Sequence, residues 1–355
     1  MAYSSITKPE DYFNTKLYTG NGSTNAITGV GFQPDWLWIK CRSFANGHAL
    51  FDANQATNSV STETDSAQAD RANDGFTSLD SDGFTLNGNG SGGRQNVSGR
   101  TYAAWCWTGG TTSGISTNGD TTITPSSYSF NQTSGFSVLK YTGNGTSGAG
   151  VAHGIGAKPQ FYIVKRLDTT GSWQVFTQPN INTSNATKYL RLNATDAEAT
   201  NNNRWNGYQP DTTNFYLGNS TEVNASGGTY AAYVFANKKG FSKLGSYTGN
   251  GNADGTFVYT GFKPSFVLVK RTSDTQGWVI WDNKRPGYNL TNQSLTANES
   301  GAEETGRTFD MLSNGFKIRD TNTATNASGS TYIYMAFAEN PLVANVNGGL
   351  PATAR

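Results

Sequence analysis

The pentapeptide YTGNG occurs three times in the chain, and the sequence around it recurs with it. Its copies begin at Tyr18, Tyr141 and Tyr247. After each copy come four more landmarks in one order: a GxxP segment running into an apolar stretch, a short apolar segment ending in Asp or Thr, a turn followed by an apolar pair, and a closing segment. The GxxP segments are GFQPDWLWIKCR, GAKPQFYIVKR and GFKPSFVLVKR, and the closing segments are NVSGRTYAAWCW, NASGGTYAAYVF and NASGSTYIYMAF. Five landmarks in one order, three times, predict a tandem array of three copies of one unit.

The unit is predicted to be all-β. Segments such as WLWIKC and FSVLKYT are rich in β-branched and aromatic residues and are bounded by Gly, Asn and Pro, which is typical of strands. No stretch keeps an apolar period of 3.6 residues, so no helix is predicted. Each copy offers about six short strands, as in an antiparallel β-sandwich or jelly roll. The Asn-Gly of YTGNG favours a tight turn at which the strand ending at Tyr18 folds back.

The repeat also predicts the domain boundaries. The three sandwich copies are expected at 12–109, 133–239 and 240–339. Before and after them lie a short N-terminal arm, 1–11, and a C-terminal arm, 340–355. A polar linker, 110–132, separates the first two copies, whereas the second and third join directly at Lys238–Phe241 and are expected to pack together.

Composition excludes several classes of partner. Only 14% of the residues are charged and the net charge is +1, so nucleic acid is not an expected partner. No stretch of about eighteen apolar residues is present, which predicts no membrane insertion. The first residues, MAYSSITKPEDYF, lack the apolar core of a signal peptide. No motif for a metal or a cofactor occurs, so none is expected.

Comparison between the copies argues against catalysis. His48 stands where the other copies carry Trp173 and Trp278, which indicates a packing position. Cys41 and Cys106 have no cysteine counterparts, so the unit needs no disulfide. The nearest carboxylate pair, Asp80 and Asp82, is interpreted as a solvated turn. A glycosidase needs only two acids, so this class stays open as the least favoured alternative.

Three aromatic residues are candidates for ligand binding. Trp205 and Tyr208 lie in NNNRWNGYQPD, where most neighbours are polar, and Tyr288 lies in NKRPGYNLTNQ. These loops differ between the copies, and flat rings flanked by amides are suited to stack on sugars. Trp205 has a second interpretation, as the counterpart of the core residues Phe76 and Phe309.

The set YTGNG, GFQPDWLWIK, SDGFTL and SGRTYAAWCW resembles a repeated domain of unknown chemistry found in virion proteins of tailed phages, especially marine ones. Those proteins are commonly labelled tail or tail-fibre proteins and are compared with concanavalin-like or SPRY-like sandwiches. The resemblance covers about Tyr12 to Phe337. It implies a virion structural protein that touches the host surface, and it brings no catalytic residues.

From this resemblance we expect a short tail-fibre or receptor-binding protein on the exterior of a phage particle. Its expected partners are other virion proteins, reached through the terminal arms, and a host-surface glycan or protein. The alternative is a head decoration or connector protein with a purely structural role. Analogy with cyclic phage appendages, together with the high aromatic content, predicts a homo-oligomer, most simply a trimer.

Overall fold

The chain folds as an all-β protein built from several antiparallel sheets. The computed structural model describes residues 4–343 except 73, 74, 89–93, 180, 181 and 183. Within these ranges every helix is a single turn of three or four residues, and none is long and apolar enough to cross a membrane. The all-β prediction is therefore confirmed.

The strands are numbered along the chain. Those of the first repeat are β1 Phe13–Thr19, β2 Asn25–Thr28, β3 Trp36–Cys41, β4 Ala49–Asp52, β5 Asn58–Ser59, β6 Ala69–Asp70, β7 Ser78–Asp80, β8 Gly83–Leu86 and β9 Thr101–Trp107. The next are β10 Thr121–Ile123, β11 Ser127–Asn131, β12 Phe136–Thr142, β13 Ala149–Ala152, β14 Phe161–Arg166, β15 Gln174–Thr177, β16 Lys188–Arg191, β17 Ala199–Thr200, β18 Asn214–Leu217 and β19 Thr229–Phe235. The third repeat contains β20 Ser242–Thr248, β21 Phe257–Tyr259, β22 Phe262–Arg271, β23 Trp278–Asp282, β24 Thr291–Thr296, β25 Glu304–Leu312, β26 Gly315–Ile318 and β27 Thr331–Pro341. The helical turns are a 3-10 turn Pro9–Asp11, α1 Asn202–Trp205, α2 Thr221–Asn224 and α3 Thr323–Asn326.

One four-strand pattern recurs in each repeat. Its order is β1-β9-β3-β4 in the first repeat, β12-β19-β14-β15 in the second and β20-β27-β22-β23 in the third. The register recurs as well, because the last aromatic residue of the closing segment faces the first aromatic residue after the GxxP proline. These pairs are Trp107 with Trp36, Phe235 with Phe161, and Phe337 with Phe266. The repeated sequence landmarks thus mark equivalent backbone positions.

A smaller set of strands packs against each four-strand pattern, and here the repeats differ. In the first repeat it is a separate sheet, β2-β8-β7, and in the second it is β10-β13-β18, in which β10 and β13 are parallel. In the third repeat β24 and β25 connect the two sets into one eight-stranded sheet that is nearly closed into a barrel.

The central strands are buried on both faces, which explains their almost continuous apolar sequence. All six residues of β3 are buried. Because side chains alternate across a strand, Leu37 and Ile39 join the core of the first repeat, whereas Trp36 and Trp38 point to the opposite face. That opposite face is not solvent. It packs into a core that all three repeats share.

The shared core is the main feature that the repeat pattern did not predict. It is formed by the outer faces of the three four-strand patterns and includes Trp36, Trp107, Phe136, Tyr233, Phe266 and Phe337 among its buried residues. Trp36 stacks on Tyr233 of the second repeat at 4.7 Å between ring centroids, and Phe13 stacks on Phe337 of the third at 5.1 Å. The three repeats therefore form one body around a common aromatic centre.

Equivalent contacts close the three repeats into a ring. Near the end of each GxxP segment lies a fully buried lysine whose ammonium donates to a backbone carbonyl of a neighbouring repeat. Lys40 donates to Ser300 at 3.1 Å, Lys165 to Asp65 at 3.1 Å, and Lys270 to Thr195 at 3.0 Å. The contacts run from the first repeat to the third, from the third to the second, and from the second to the first. A head-to-tail interface that closes in this way is cyclic.

A second set of contacts in the ring pairs a side-chain donor of one repeat with an aspartate of another. The indole of Trp105 donates to Asp282 of the third repeat at 3.0 Å, and the Tyr233 hydroxyl donates to Asp52 of the first at 2.9 Å. At the third interface the equivalent position to Trp105 is Met335, which has no donor, and the position of the aspartate holds Thr177. The carboxylate is present only where a donor faces it, as the cost of burying an unpaired charge requires.

The segments predicted as a linker and an arm are part of the body. The segment 110–132 holds β10 and β11, and β11 pairs with β12 along its whole length, so it extends the second repeat instead of separating the first two. In the N-terminal segment Ile6 is buried in the shared core, and the Ser5 amide donates to the Lys239 carbonyl at 3.1 Å. Of the C-terminal segment, β27 reaches Pro341, and residues 344–355 lie outside the described part of the chain.

YTGNG forms a turn, but the chain does not fold back on itself there. After β1 it crosses to β2, which pairs with β8 instead of β1. The turn is held by a buried asparagine from the closing segment. In the second repeat the Asn224 side chain accepts from the Asn144 amide at 2.8 Å and donates to the Thr146 carbonyl at 2.9 Å, and the first and third repeats use Asn96 and Asn326 in the same way. The most conspicuous sequence motif is thus structural.

The first glycine of YTGNG is needed because another part of the backbone lies against it. A Cβ added at Gly143 would lie 2.4 Å from the Ala225 carbonyl oxygen. We expect Gly143→Ala to lower the free energy of unfolding by about 1–3 kcal/mol, the usual range for overpacking. Urea denaturation checks this value. The matched control is Gly301→Ala, whose Cβ would meet nothing within 4 Å, and an equal loss in both variants would contradict the steric explanation.

Candidate ligand-binding hollows

Trp205 is a core residue and is unavailable to a ligand. Its side chain is 0% exposed, its ring contacts Tyr162 at 5.0 Å, and its indole nitrogen donates to the Lys188 carbonyl at 3.1 Å. The ring occupies the place of Phe76 in the first repeat and Phe309 in the third, which stack on Phe51 and Trp281. The core interpretation is confirmed, and the sugar-stacking role predicted for Trp205 is wrong.

Tyr208 lines an open hollow on the second repeat. The side chain is 53% exposed, and the hollow has a volume of about 550 Å³. Its ring meets that of Tyr216 edge to face, with 5.6 Å between centroids. The rest of the wall comes from Gly119, Asp120, Thr122, Gly148, Gln209 and Asp211. An aromatic edge beside carboxylate, hydroxyl and amide groups is a lining that suits a polyhydroxylated ligand.

Local structure fixes the polar side of this hollow. Asp211 accepts from the backbone amides of Thr213 and Asn214 at 2.6 and 2.7 Å and from the Tyr216 hydroxyl at 2.6 Å. Burial raises the pKa of the Asp211 carboxyl, but these three donors outweigh burial and leave the pKa below its usual value. Burial and the bond to Asp211 raise the pKa of Tyr216. Asp211 is thus ionised at neutral pH, and it positions Tyr216.

His153 lies behind the hollow and is not available as a base. Its ring is buried, Nε2 lies 3.2 Å from the Asp211 carbonyl, and Nδ1 accepts from the Ile155 amide at 3.3 Å. Burial lowers the pKa of His153 to about 4, so the ring is neutral at physiological pH. Both ring nitrogens are used inside the protein, which is the arrangement of a structural histidine.

Tyr288 lines a different hollow, on the third repeat. It is 79% exposed, and together with Asn283, Lys284 and Gly287 it borders a space of about 630 Å³. The two candidate tyrosines lie on different repeats and line separate hollows. The structure therefore keeps both as candidates but does not bring them into one site.

The segment that carries Tyr288 is anchored at its base by buried charges. Arg285 donates to Asp282 at 2.7 Å and to Glu303 at 3.2 Å, and Glu303 also pairs with Arg42 of the first repeat at 3.0 Å. Further along, the Asn289 side chain donates to the Met311 carbonyl at 2.9 Å and accepts from the Met311 amide at 3.0 Å. These bonds fix both ends of the short stretch around Tyr288.

The remaining residues considered for chemistry have structural roles. His48 is buried, accepts from the Trp38 indole at 2.8 Å and contacts the Thr296 carbonyl at 3.1 Å, so it belongs to the ring interface, as its packing interpretation predicted. Cys41 and Cys106 are buried and free. Asp82 accepts from the amides of Gly29 and Gly31 and closes a turn.

The structure adds residues that the sequence did not single out. Tyr216, Asp120 and Gln209 join Tyr208, and Asn283 and Lys284 join Tyr288. Tyr216 lies on a strand that recurs in every repeat, so the sequence comparison did not distinguish it from the core positions of that strand. Asn283 is adjacent to the recurring aspartate, and its counterparts Ala53 and Gln178 differ in chemistry, a signal that a residue-by-residue comparison of the copies would have shown.

Similarity to known proteins identifies the family but no activity. No curated protein and no solved structure matches the chain. Residues 8–341 match, as one unit, a family described as a domain of unknown function. These bounds nearly coincide with the ring, which begins at the turn Pro9–Asp11 and ends with β27 at Pro341. The chain therefore belongs to the DUF7483 family of domains of unknown function.

Proposed function

We propose that the protein is a virion structural protein of a tailed phage, a short tail-fibre or receptor-binding protein that contacts the host surface without catalysis. The resemblance of its repeated landmarks to phage virion proteins supports the class. The observation that carries the binding role is the hollow beside Tyr208, an exposed aromatic edge with fixed polar groups on a segment that does not recur in the other repeats. The protein acts on the exterior of the particle.

The ring supports this role as a scaffold. Recurring residues are used in the repeat cores, the shared core and the turns, whereas the segments around Tyr208 and Tyr288 lie on the surface and vary. Recognition is commonly placed on variable loops that a rigid framework holds. We propose further that each repeat is a jelly-roll or concanavalin-like β-sandwich and that the three form a tandem array.

The electrostatics of the hollow favour binding over hydrolysis. Asp120 and Asp211 both line it, as a glycosidase would require of two carboxylates. However, Asp211 is locked by three donors and its pKa is lowered, whereas a general acid needs a raised pKa. The depolymerising glycosidase therefore stays the least favoured alternative.

The decoration or connector role is the second candidate, and the N-terminal segment bears on it. Residues 4–11 pack against Lys239 of the second repeat and against β27 of the third, so the contact with other virion proteins would use the outer surface of the ring rather than this segment. Many of the aromatic residues that suggested a homotrimer are buried in the shared core. Oligomerisation now rests on family analogy, and light scattering at micromolar concentration measures it directly.

We expect Tyr208→Ala to reduce adsorption of the particle to host cells by about fivefold, since loss of one stacked ring removes about 1 kcal/mol. Adsorption is measured with particles that carry the variant. Tyr259→Ala is the matched control, because Tyr259 is also 53% exposed but lies at the end of β21, outside this hollow.

Three outcomes decide between the candidates. Loss of adsorption in Tyr208→Ala alone supports the receptor-binding role. Unchanged adsorption together with normal particles contradicts a role of this hollow in attachment. Failure of particles to assemble, while the purified variant keeps its melting temperature, favours the decoration role.

A further inference from the structure

We propose that the hollow beside Tyr288 is a binding site for an acidic sugar, a pyranose that carries a carboxylate. Three of the residues that line it define the proposal: Tyr288 and Lys284, which are exposed, and Asn283, which is buried. The inference rests on the proposed function only for the source of the sugar, a host-surface glycan. The site itself follows from the contacts below.

Asn283 supplies the observation that points to a ligand. Its side chain is 7% exposed and lines the hollow, yet its Oδ1 accepts no hydrogen bond in the described part of the chain. A buried acceptor without a donor costs free energy comparable to a lost hydrogen bond, so such groups are normally satisfied. Oδ1 itself has almost no accessible surface, so a turn of the Asn283 side chain toward the hollow would bring this acceptor to a sugar hydroxyl, which is a donor of suitable size for it.

Tyr288 and Lys284 determine the class of the ligand. A phenol ring that is 79% exposed offers a flat apolar face, and the C–H face of a pyranose packs well on such a surface. Lys284 is exposed at the same hollow, whereas the neighbouring Arg285 is fully occupied by Asp282, Glu303 and the Ile280 carbonyl. An ammonium beside a stacking ring selects a sugar with an anionic group over a neutral one.

The third repeat alone has this combination. The positions equivalent to Asn283 are Ala53 in the first repeat and Gln178 in the second, as the shared amide contacts to Asp35, Gln160 and Ser265 show. Lys284 has Asn54 and Pro179 as its counterparts. The buried Asp282–Arg285 pair holds the backbone between Asn283 and Tyr288, because Asp282 also accepts the amides of Lys284 and Arg285 at 3.0 Å. The site is therefore specific to this repeat and largely preformed.

The test uses purified protein and two probes, methyl galacturonide and the neutral methyl galactoside, with dissociation constants from NMR titration. We expect the acidic probe to bind at least about tenfold more tightly than the neutral one, and Tyr288→Ala to weaken it about tenfold. Lys284→Gln should abolish the preference for the acidic probe while retaining weak binding of both. Tyr288 and Lys284 are exposed, so neither change should affect folding.

The controls separate this inference from the proposed function. Tyr259→Ala, at an exposed ring outside both hollows, leaves binding of the acidic probe unchanged. Equal affinity for both probes, or binding that Tyr288→Ala does not alter, overturns the site. Particle adsorption is measured separately. If Tyr288→Ala no longer binds the acidic probe but particles that carry it adsorb normally, the binding site is supported and its part in attachment is contradicted.

Discussion

Replacing Trp36 by alanine should lower the free energy of unfolding by about 3–5 kcal/mol, the range for a large buried aromatic residue, and should affect all three repeats together. Trp36 is 1% exposed and belongs to the shared core. Its ring lies 4.3 Å from that of Trp107 in its own repeat, and 4.7 and 5.8 Å from those of Tyr233 and Phe235 in the second. The cavity left by its removal opens at the common centre of the ring.

The decisive measurement is urea unfolding followed by two signals, far-UV circular dichroism for the strands and tryptophan fluorescence for the core. Coincident transitions in the wild type and in Trp36→Ala indicate one cooperative unit. The control is Phe76→Ala, which removes a ring that stacks on Phe51 inside the first repeat and takes no part in the shared core. Separate transitions for the repeats in the wild type would contradict a shared core as the source of stability.

The sequence predicted what recurs within a repeat. Landmark order and turn chemistry identified an all-β unit, and the comparison of copies assigned His48 and Cys106 to buried positions. The same comparison offered Phe76 and Phe309 as counterparts of Trp205, and this interpretation was correct. The ligand-binding interpretation of Trp205 relied on its polar neighbours and was wrong, because the loop is polar but the ring of Trp205 is buried in the core.

The arrangement of the repeats could not be read from periodicity. A strand that is buried on both faces has a continuous apolar sequence. That sequence does not show whether each face is covered by the strand's own repeat or by another repeat. Two signals were nevertheless present. A lysine ends the apolar stretch of every GxxP segment, at Lys40, Lys165 and Lys270. The aspartate that closes the short apolar segment after it is absent only from the repeat that faces Met335.

The candidate sites were predictable only in part. Tyr208 and Tyr288 stood out because they are aromatic residues in variable polar segments, and both are exposed. Whether a ring faces solvent depends on packing several strands away, so the sequence could not separate these two from Trp205. The orphan acceptor of Asn283 is a property of geometry alone, since an asparagine side chain usually finds a partner within its own turn.

Raising the pH from 7 to 9 should increase the stability of the protein by about 1 kcal/mol for each buried lysine of the ring, or about 3 kcal/mol together. Burial lowers the pKa of Lys40, Lys165 and Lys270 from 10.5 to about 8. In the unfolded chain these ammonium groups keep their protons over the whole interval. The folded protein binds fewer protons than the unfolded chain above pH 8, so its stability rises with pH.

The direction of this effect separates the lysines from the other buried groups. Burial raises the pKa of the Cys106 thiol and of Tyr141, so these groups destabilise the fold only as their unfolded counterparts ionise, near pH 9 and above. The free energy of unfolding is therefore measured in steps from pH 7 to 9. A stability that stays constant or falls over this range would contradict the lowered lysine pKa values.

A single substitution tests whether the buried lysines of the ring interface cause the increase in stability with pH. Lys165→Met removes one titrating group and should reduce the pH-dependent gain by about a third, whereas Lys8→Met, at an exposed position, should leave it unchanged. The methionine also leaves the carbonyls of Asp65 and Gly171 without the ammonium that now lies 3.1 and 2.8 Å away. Lys165→Met is thus expected to be less stable than the wild type at pH 9, where the lysine is neutral and still donates. At pH 7 the difference should be smaller, because the variant avoids the cost of burying a charge.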